Sequence, residues 1–218
     1  MIGEKFPGLE EFLKDYPKMI IAPTTNSSLV LKGEFDFSAS RSDSPHIDDS
    51  YMLAIDVPSS FPREMPLVSE TDHKIPRDGR YHVNPDNTLC LGSPLRLLWK
   101  LSQKPTLVGF AEECLVSYLY SISHKMMYGT FPFGELDHGN PGVIADYMDL
   151  FEVTNKKQVL QVLALLGIKK RLANKKICPC GCGKRLGACS FHFKVIGLRK
   201  LAERSWFRRH FSNLGSGK

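Results

Sequence analysis

Residues 81–94 read YHVNPDNTLCLGSP, and the order of elements around them sets the fold expected of the chain. A polar NPDN turn at residues 84–87 precedes Cys90, and a Gly-Ser-Pro breaker at residues 92–94 follows it. The thiol therefore comes after a turn, stands on no apolar periodicity, and is trailed by residues that cannot continue a strand. We expect it to be partly exposed, as a nucleophilic thiol must be. A structural cysteine at the end of a short strand is the alternative.

Length and composition describe a globular chain with one main core and an appendage. The 218 residues are 42% hydrophobic and 24% charged, which suits a folded domain rather than a disordered one. No apolar run approaches the roughly 18 to 20 residues of a membrane span, and the N-terminal MIGEKFPGLEEF lacks the apolar stretch of a signal peptide. We expect a cytoplasmic protein with no membrane partner.

The residues before the NPDN turn predict one helix and three antiparallel strands. Residues 8–16 place apolar side chains at helical spacing and end before Pro17. The strands alternate in polarity or are rich in β-formers, and they are predicted at residues 29–37, 51–57 and 67–70. The turn-rich SASRSDSPHIDDS between the first two strands predicts a loop. This pattern indicates an α+β fold.

The residues after the turn predict helices. Residues 105–123 repeat apolar side chains at three- and four-residue steps, and Cys114 lies on that stripe as a packed, inert thiol. Further helices are predicted at residues 141–151 and 156–166. The second of these has Asn155 at the N-cap and a glycine at the C-cap.

Charge divides the chain into an acidic body and a basic C-terminal module. Residues 155–218 carry 16 Lys plus Arg and one acid, whereas the whole chain has a net charge of only +6. We expect one domain at residues 1–152, a linker helix at residues 153–172, and a basic module at residues 173–218.

The body resembles the ubiquitin-conjugating enzyme family in its divergent bacterial form. The resemblance covers about residues 5–152 and rests on NPDNTLCL at residues 84–91, on Trp99, and on FPREMP at residues 61–66 in place of the family's Tyr-Pro-x-x-Pro-Pro. It implies the α+β ubiquitin-conjugating fold, with an N-terminal helix, a β-meander, an active-site loop and C-terminal helices. It also implies that Cys90 accepts the C-terminal acyl group of a carrier protein as a thioester and passes it to a target.

The resemblance departs from the family at the residue eight positions before the cysteine. Family enzymes have His-Pro-Asn there, whereas this chain reads Arg80-Tyr81-His82. His82 could donate a hydrogen bond to the oxyanion, shift Cys90 toward the thiolate, or act as a base. A loop histidine satisfied by the backbone is the alternative. The resemblance further implies a helper role for Asp137 and His138, against the alternative of a solvated loop.

A second cysteine group lies near the C-terminus, in CPCGCGKRLGACSFH at residues 178–192. Thiolates at this spacing could converge on a tetrahedral Zn²⁺ ion, and the stretch resembles the SEC-C zinc motif. The resemblance implies Cys178, Cys180 and Cys189 as ligands of a structural zinc. Ser190 stands where the motif has its fourth ligand, so His192 is the favoured replacement and Cys182 the competitor. A redox or disulfide role is disfavoured by the cytoplasmic expectation.

Other functions remain open at this point. A cysteine protease is disfavoured because residues 92–94 argue against a helix beginning at the thiol. A non-catalytic binding or adaptor relative of the same fold is a further alternative. For the basic module we favour recruitment of a target or partner protein, and nucleic acid is the less favoured partner.

The resemblance also implies the protein partners. The carrier would be a ubiquitin-like protein or a cGAS-like nucleotidyltransferase, encoded in a bacterial anti-phage (CBASS) or related modification operon. The acceptor would be a separate target protein. Nothing in the chain resembles an adenylating domain, so any activating enzyme would be a separate protein or absent.

Overall fold

The computed structural model describes residues 5–23, 28–41, 44–132 and 139–215. The chain divides into two compact units: Met1–Gly92 with Lys100–Glu135 form the first, and Ser93–Trp99 with Leu136–Lys218 form the second. Within the described ranges, none of the helices combines the length and apolar composition needed to cross a membrane.

The first unit contains an antiparallel sheet of four strands. The strands are β1 (Met19–Ala22), β2 (Leu29–Arg41), β3 (Ser44–Val57) and β4 (Leu67–Glu70), and they neighbour one another in chain order. With the helices this confirms the predicted α+β class. β1 was not predicted, because four residues following Pro17 are too few to display an alternating pattern.

The loop predicted at residues 38–50 is wrong, because β2 and β3 continue through most of it as a long hairpin. Ser38 pairs with Asp48 and Ala39 with Ile47 before a bulge near Arg41. Ser38, Ser40, His46 and Asp48 are exposed while Ile47 is buried at 3% exposure, so the segment is a half-buried strand pair despite its turn-rich composition. The ring of His46 bonds the hydroxyls of Ser38 and Ser40 at 3.1 and 2.7 Å.

Helix α1 (Leu9–Asp15) opens the described chain and packs on the sheet. Phe12 is fully buried, and the ring of the following Tyr16 stacks on Phe35 with centroids 4.2 Å apart. Gly33 in β2 is required by the close approach of β1. A Cβ there would lie 2.1 Å from the Lys18 carbonyl oxygen, and the φ of +147° also suits glycine.

The long helix of the first unit extends further than predicted. It comprises α3 (Leu107–Phe110), a π-helical turn (Ala111–Leu115) and α4 (Val116–Tyr128). Thr106 caps its start by accepting the Gly109 N–H at 3.0 Å. Cys114 lies in the π turn at 1% exposure, as predicted for a packed thiol, and burial raises its pKa to about 11.

Polar bonds tie α4 to the sheet. The Tyr51 hydroxyl donates to Ser123 at 2.7 Å, and Ser123 in turn donates to Asp49 at 2.7 Å. Lys74 pairs with the same carboxylate.

The β3–β4 connection carries the FPREMP segment, in which the Phe61–Pro62 peptide bond is cis and Phe61 is buried.

The start of helix α2 (Pro94–Gln103), which was not predicted, belongs to the second unit. Its proline stands at the first helical position, where the missing N–H costs nothing. Arg96 reaches Asp146 at 2.8 Å and Asp149 at 2.6 Å, and Ser93 also donates to Asp146. The Leu95 N–H donates to the hydroxyl of Tyr147 at 3.0 Å.

The rest of the second unit, where the structure describes it, is mostly helical. Its helices are α5 (Asn140–Phe151), α6 (Lys156–Leu166), α7 (Lys170–Ala173), α8 (Phe191–Leu198) and α9 (Arg204–Gly215). Their buried side chains form one cluster that includes Tyr147, Phe151, Val162, Leu166 and Phe207. The helices predicted at residues 141–151 and 156–166 are confirmed.

Helix α6 has clear end signals. The Asn155 side chain accepts the Gln158 N–H at 3.0 Å, as the sequence predicts for an N-cap. At the other end, Arg199 donates to the carbonyls of Leu165 and Ile168 at 2.5 and 2.8 Å, satisfying groups that the helix leaves unpaired.

The compact units divide the chain differently from the expected boundary at residue 152. Helix α5 belongs to the second unit, and the helix expected to be a linker, α6, forms part of its core, with Val159, Val162 and Leu163 fully buried. The cause is that one face of α6 is almost wholly apolar and needs a partner surface along its length.

Candidate functional site

The Cys90 stretch forms a small hairpin against the edge of the sheet. Val83 and Leu89 form an antiparallel bridge, and so do Ser69 and Thr88. The Leu89 N–H donates to the Val68 carbonyl at 2.7 Å. Strand β4 therefore fixes the hairpin immediately before the thiol.

The NPDN turn closes this hairpin by local hydrogen bonds. The Asn84 N–H donates to the Thr88 carbonyl at 2.8 Å, and the Asp86 carboxylate accepts the Thr88 N–H at 3.0 Å. Asn87 adopts a left-handed conformation with φ of 65°, which asparagine tolerates well. The hydrogen bonds to Asp86 hold the pKa of its carboxyl below the ordinary value.

Cys90 and His82 are adjacent across the mouth of the hairpin. The Cys90 N–H donates to the His82 carbonyl at 2.8 Å. His82 follows a short 3₁₀ helix (Gly79–Tyr81) and takes a left-handed conformation, φ 52° and ψ 43°. Asp78 caps the start of that helix by accepting the Arg80 N–H at 2.7 Å. The two residues singled out from the sequence thus share one piece of ordered backbone.

Side chains from the long helix and the segment after it hold the His82 loop. The Tyr118 hydroxyl donates to the Tyr81 carbonyl at 2.9 Å. The Phe131 ring meets the His82 ring edge-on with centroids 5.3 Å apart, and the Lys125 ammonium lies 4.0 Å from the centre of the Phe131 ring. These contacts give the imidazole a defined, partly apolar surrounding.

The Cys90 thiol is partly exposed, as predicted, but it is not activated in this conformation. Burial raises its pKa above the ordinary value, and the hydrogen bond from the Gly92 N–H offsets only part of that effect. Burial also raises the pKa of Tyr118, and the negative charge that Cys90 would carry as a thiolate raises it further. The phenol and the thiol therefore lie within electrostatic reach of each other.

Sequence reasoning missed Tyr118 and the Gly92 N–H. Tyr118 was predicted as part of an apolar stripe, and periodicity does not reveal where a hydroxyl at the tip of such a side chain ends. The predicted helpers Asp137 and His138 lie outside the described residues, so their proposed role remains a prediction.

The four C-terminal cysteines form a compact group in the second unit. The sulfur atoms of Cys178, Cys180, Cys182 and Cys189 all lie within 4.8 Å of one another. The Cys178 N–H donates to the Lys184 carbonyl at 2.9 Å, and an isolated bridge joins Ile177 to Arg185. We call residues 175–186 the knuckle hairpin.

Two glycines allow the knuckle hairpin to turn tightly enough to gather the thiols. Gly181 and Gly183 have φ values of +86° and +72°, which side chains other than glycine rarely adopt. Cys189 joins the group from the end of a short 3₁₀ turn (Leu186–Ala188).

The sulfur distances fit a metal ion. A tetrahedral Zn²⁺ with Zn–S bonds of about 2.3 Å separates its sulfurs by about 3.8 Å. Here Cys180 lies 3.7 Å from Cys189 and 3.2 Å from Cys178. The hydrogen bond from the Phe191 N–H chiefly lowers the pKa of Cys189, to about 7, so this thiol ionises readily. The group could therefore hold a metal ion.

The structure brings Cys182, and not the favoured His192, to this group. The His192 ring lies against Phe193 with centroids 4.6 Å apart. The sequence alone could not separate the two, because the outcome depends on the left-handed glycines on either side of Cys182.

Comparison of the chain with protein-family models, curated proteins and solved structures found no match in any of the three.

Proposed function

We propose that the protein is a cysteine-dependent conjugating enzyme that carries the C-terminal acyl group of a carrier protein as a thioester on Cys90. The observation that carries the proposal is the hydrogen bond from Cys90 to the His82 carbonyl, which fixes a partly exposed thiol at the end of an ordered hairpin. The antiparallel sheet in chain order, followed by this hairpin and a long helix, agrees with the resemblance to ubiquitin-conjugating enzymes.

The chemistry consists of two acyl transfers. The Cys90 thiolate attacks the carbonyl carbon of a carrier C-terminus that a separate enzyme has activated as an adenylate or a thioester, and that activating group leaves. An amine of the target then attacks the Cys90 thioester, the C–N bond forms, the C–S bond breaks, and the thiol is regenerated. Because the thioester is already reactive, the site needs to position groups more than it needs strong acid–base catalysis.

We assign His82 a role in steadying the oxyanion that develops in each transfer. Its carbonyl accepts from the Cys90 N–H and the Tyr118 hydroxyl, and its ring lies against Phe131, so contacts with three residues order the loop that carries the imidazole. An imidazole N–H donor so placed can replace the amide donor that related enzymes use. Asp137 and His138 remain candidate helpers of the acceptor amine.

The partners we propose come from the resemblance to ubiquitin-conjugating enzymes. The carrier is a protein with an exposed C-terminus, either a ubiquitin-like protein or a cGAS-like nucleotidyltransferase, and the setting we propose is a bacterial anti-phage or related modification operon. Any activating enzyme is a separate protein, and the site of action we propose is the cytoplasm.

The test is formation of a reductant-sensitive adduct. The purified protein, incubated with ATP and the products of its neighbouring genes, is expected to form a slower-migrating species on a non-reducing gel. Dithiothreitol removes that species, and Cys90→Ala abolishes it. Cys114→Ala is the matched control, because that thiol is 1% exposed and its loss should leave the adduct intact. An adduct that persists in Cys90→Ala would exclude the proposal.

We also propose that the metal held by the four cysteines is a structural Zn²⁺ ion. A set of four thiolates is typical of structural zinc sites, and Cys178 within the set is part of the buried core of the second unit. About one equivalent of zinc is expected by metal analysis of protein purified without chelators, and substoichiometric zinc would contradict this assignment.

A second candidate function is that of a non-catalytic adaptor with the same fold. The raised pKa of Cys90 favours it, since a thiol kept protonated by burial is a weaker nucleophile. An adaptor would bind the carrier equally well with Cys90 or with Ala at that position and would form no covalent adduct, so the same gel separates the two functions.

A further inference from the structure

We propose that the knuckle hairpin of the second unit, together with Phe193, binds single-stranded nucleic acid. The sequence alone favoured a protein partner for the basic module, but the structure supplies a feature that charge counting lacks. An exposed aromatic ring in α8 and an exposed aliphatic side chain on the knuckle hairpin accompany the exposed basic side chains of that hairpin.

The charge of this part of the chain is uniform. Residues 153–202 contain 12 Lys plus Arg and no Asp or Glu. A zinc ion held by four thiolates would carry a net charge of −2, which still leaves a charge of about +10. Such a surface attracts polyanions over a distance set by the ionic strength.

Some of these basic residues make hydrogen bonds or ion pairs that stabilise the fold, and we do not assign them to the binding surface. Arg199 donates to carbonyls at the end of α6, Arg208 donates to the Gly167 carbonyl at 3.1 Å, and Lys194 pairs with Glu152. A partner would have to break these contacts to use them.

The knuckle hairpin provides basic side chains that are exposed to solvent. Lys175, Lys176, Lys184 and Arg185 are exposed. Within the described part of the chain, no ion pair or side-chain hydrogen bond engages them. The backbone pairing of residues 176–178 with residues 184–186 holds their main chain in place, so little further ordering is needed when a partner binds.

Two exposed apolar side chains accompany the basic ones, one on the knuckle hairpin and one in the first turn of α8. Phe193 is 72% exposed and Ile177 is 66% exposed. The Phe193 N–H donates to the Ser190 carbonyl and the His192 N–H to the Cys189 carbonyl, so Phe193 follows directly from the cysteine group that gathers the hairpin. The hairpin and the aromatic ring are thereby parts of one structure.

This combination fits single-stranded nucleic acid better than an acidic protein surface. Bases stack on aromatic rings while lysine and arginine neutralise phosphates, whereas an acidic peptide gains nothing from an isolated, protruding phenyl ring. Double-stranded nucleic acid is a poorer partner, because its bases are already stacked and offer no face to Phe193.

The probe is a fluorescein-labelled oligothymidylate of about 20 nucleotides, longer than the roughly 4 to 16 nucleotides of a small binding site. Anisotropy is measured with the full-length protein across a series of NaCl concentrations, and a labelled polyglutamate peptide of equal charge is the comparison. The oligothymidylate is expected to bind more tightly than polyglutamate at every salt concentration.

Two variants separate phosphate contact from stacking. Lys176→Glu/Lys184→Glu/Arg185→Glu should weaken binding and reduce the slope of log K against log salt by about 2, since each phosphate contact on a single strand contributes about 0.7. The matched control reverses three exposed residues of the first unit, Lys14→Glu/Lys32→Glu/Arg63→Glu, and should leave the slope unchanged. Phe193→Leu should weaken oligothymidylate binding roughly 5- to 100-fold and leave polyglutamate binding unchanged.

Three results would overturn the proposal. Polyglutamate binding as tightly as the oligothymidylate would assign the surface to an acidic protein. Equal effects of the two triple variants would show that binding depends on the net charge of the protein and not on the knuckle hairpin. An oligothymidylate affinity unchanged in Phe193→Leu would show that no base stacks on this ring. This variant alone tests the proposal if the triple variant of the knuckle hairpin fails to fold.

Discussion

The hydrogen bond from the Cys90 N–H to the His82 carbonyl fixes the backbone position of Cys90 at the end of the hairpin. Because both residues are held by the same hairpin, a change at either one should move the other. The site holds the Cys90 thiol in place but does not favour its ionisation, since burial keeps the pKa of Cys90 above its ordinary value. Two predictions belong to these residues.

The first concerns the reactivity of Cys90 with pH. Only the thiolate alkylates, and the raised pKa means that the thiolate fraction grows at a higher pH than in a free cysteine. The iodoacetamide labelling rate of Cys90, followed by peptide mass spectrometry, should therefore rise with a midpoint above that of a free cysteine in the same buffers. Cys114 should remain unlabelled in the native protein. A Cys90 midpoint below the free cysteine would contradict the account.

The second concerns the left-handed backbone of His82, φ 52°. Asn tolerates this conformation and a β-branched residue does not, so His82→Val should lower the free energy of unfolding by about 1 to 2 kcal/mol. His82→Asn, the matched control, should stay within about 0.5 kcal/mol of the native protein. Urea denaturation followed by circular dichroism measures both, and equal losses in the two variants would show that the backbone conformation is not the cause.

At the scale of elements, the knuckle hairpin joins the cysteine group to the core of the second unit. Cys178 is 2% exposed and Leu186 is 1% exposed, so the residues that gather the thiols are also residues that pack. Metal binding and folding of this element should therefore be coupled.

The choice of fourth ligand is testable on this element. Cys182→Ser should lower the bound metal and leave residues 175–190 open to proteolysis, because three thiolates hold the ion less tightly than four. His192→Ala should retain the full metal content. Metal analysis with limited proteolysis decides between them, and the reverse pattern would restore His192 as the ligand.

Helix α9 carries a pH-sensitive contact to α5. Burial lowers the pKa of His210 to about 4, and the neutral ring accepts the Tyr147 hydroxyl at 2.7 Å. The unfolded chain takes up this proton near pH 6.5 and the folded chain only near pH 4, so the stabilising contribution is complete above pH 6.5 and declines as the pH falls toward 4. The melting temperature of the native protein should thus fall relative to His210→Gln between pH 7.5 and pH 5. A constant difference would contradict the assignment.

Sequence patterns predicted the elements whose signals are local. The bounds of α6 agree because Asn155 and Gly167 mark its ends, and the packed state of Cys114 follows from its place on an apolar stripe. The prediction of a loop at residues 38–50 was wrong because Ile47 is the one buried side chain among the described residues of that segment, and pairing across a long hairpin is not a local signal. Cys182 was left as a competitor because only the turn geometry places its sulfur with the others.

At the scale of the whole molecule, the chain joins two units of different character. The first carries the four-stranded sheet and Cys90, and the second carries a helical core, the cysteine group and most of the positive charge. In our account the first unit performs the acyl transfer, while the second supplies a surface that selects where the enzyme works. Loss of nucleic-acid binding should therefore leave formation of the Cys90 adduct intact.

The most direct test of the central claim is the intact mass of the full-length Cys90→Ser variant after incubation with ATP and the products of its neighbouring genes. A serine oxygen at this position would trap the carrier as an ester, which survives dithiothreitol and is cleaved by mild alkali. We predict a mass increase equal to that of the carrier less one water, located by peptide mapping to position 90. A Cys90→Ser variant that still forms the reductant-sensitive adduct of the native protein would contradict the claim that Cys90 carries the acyl group.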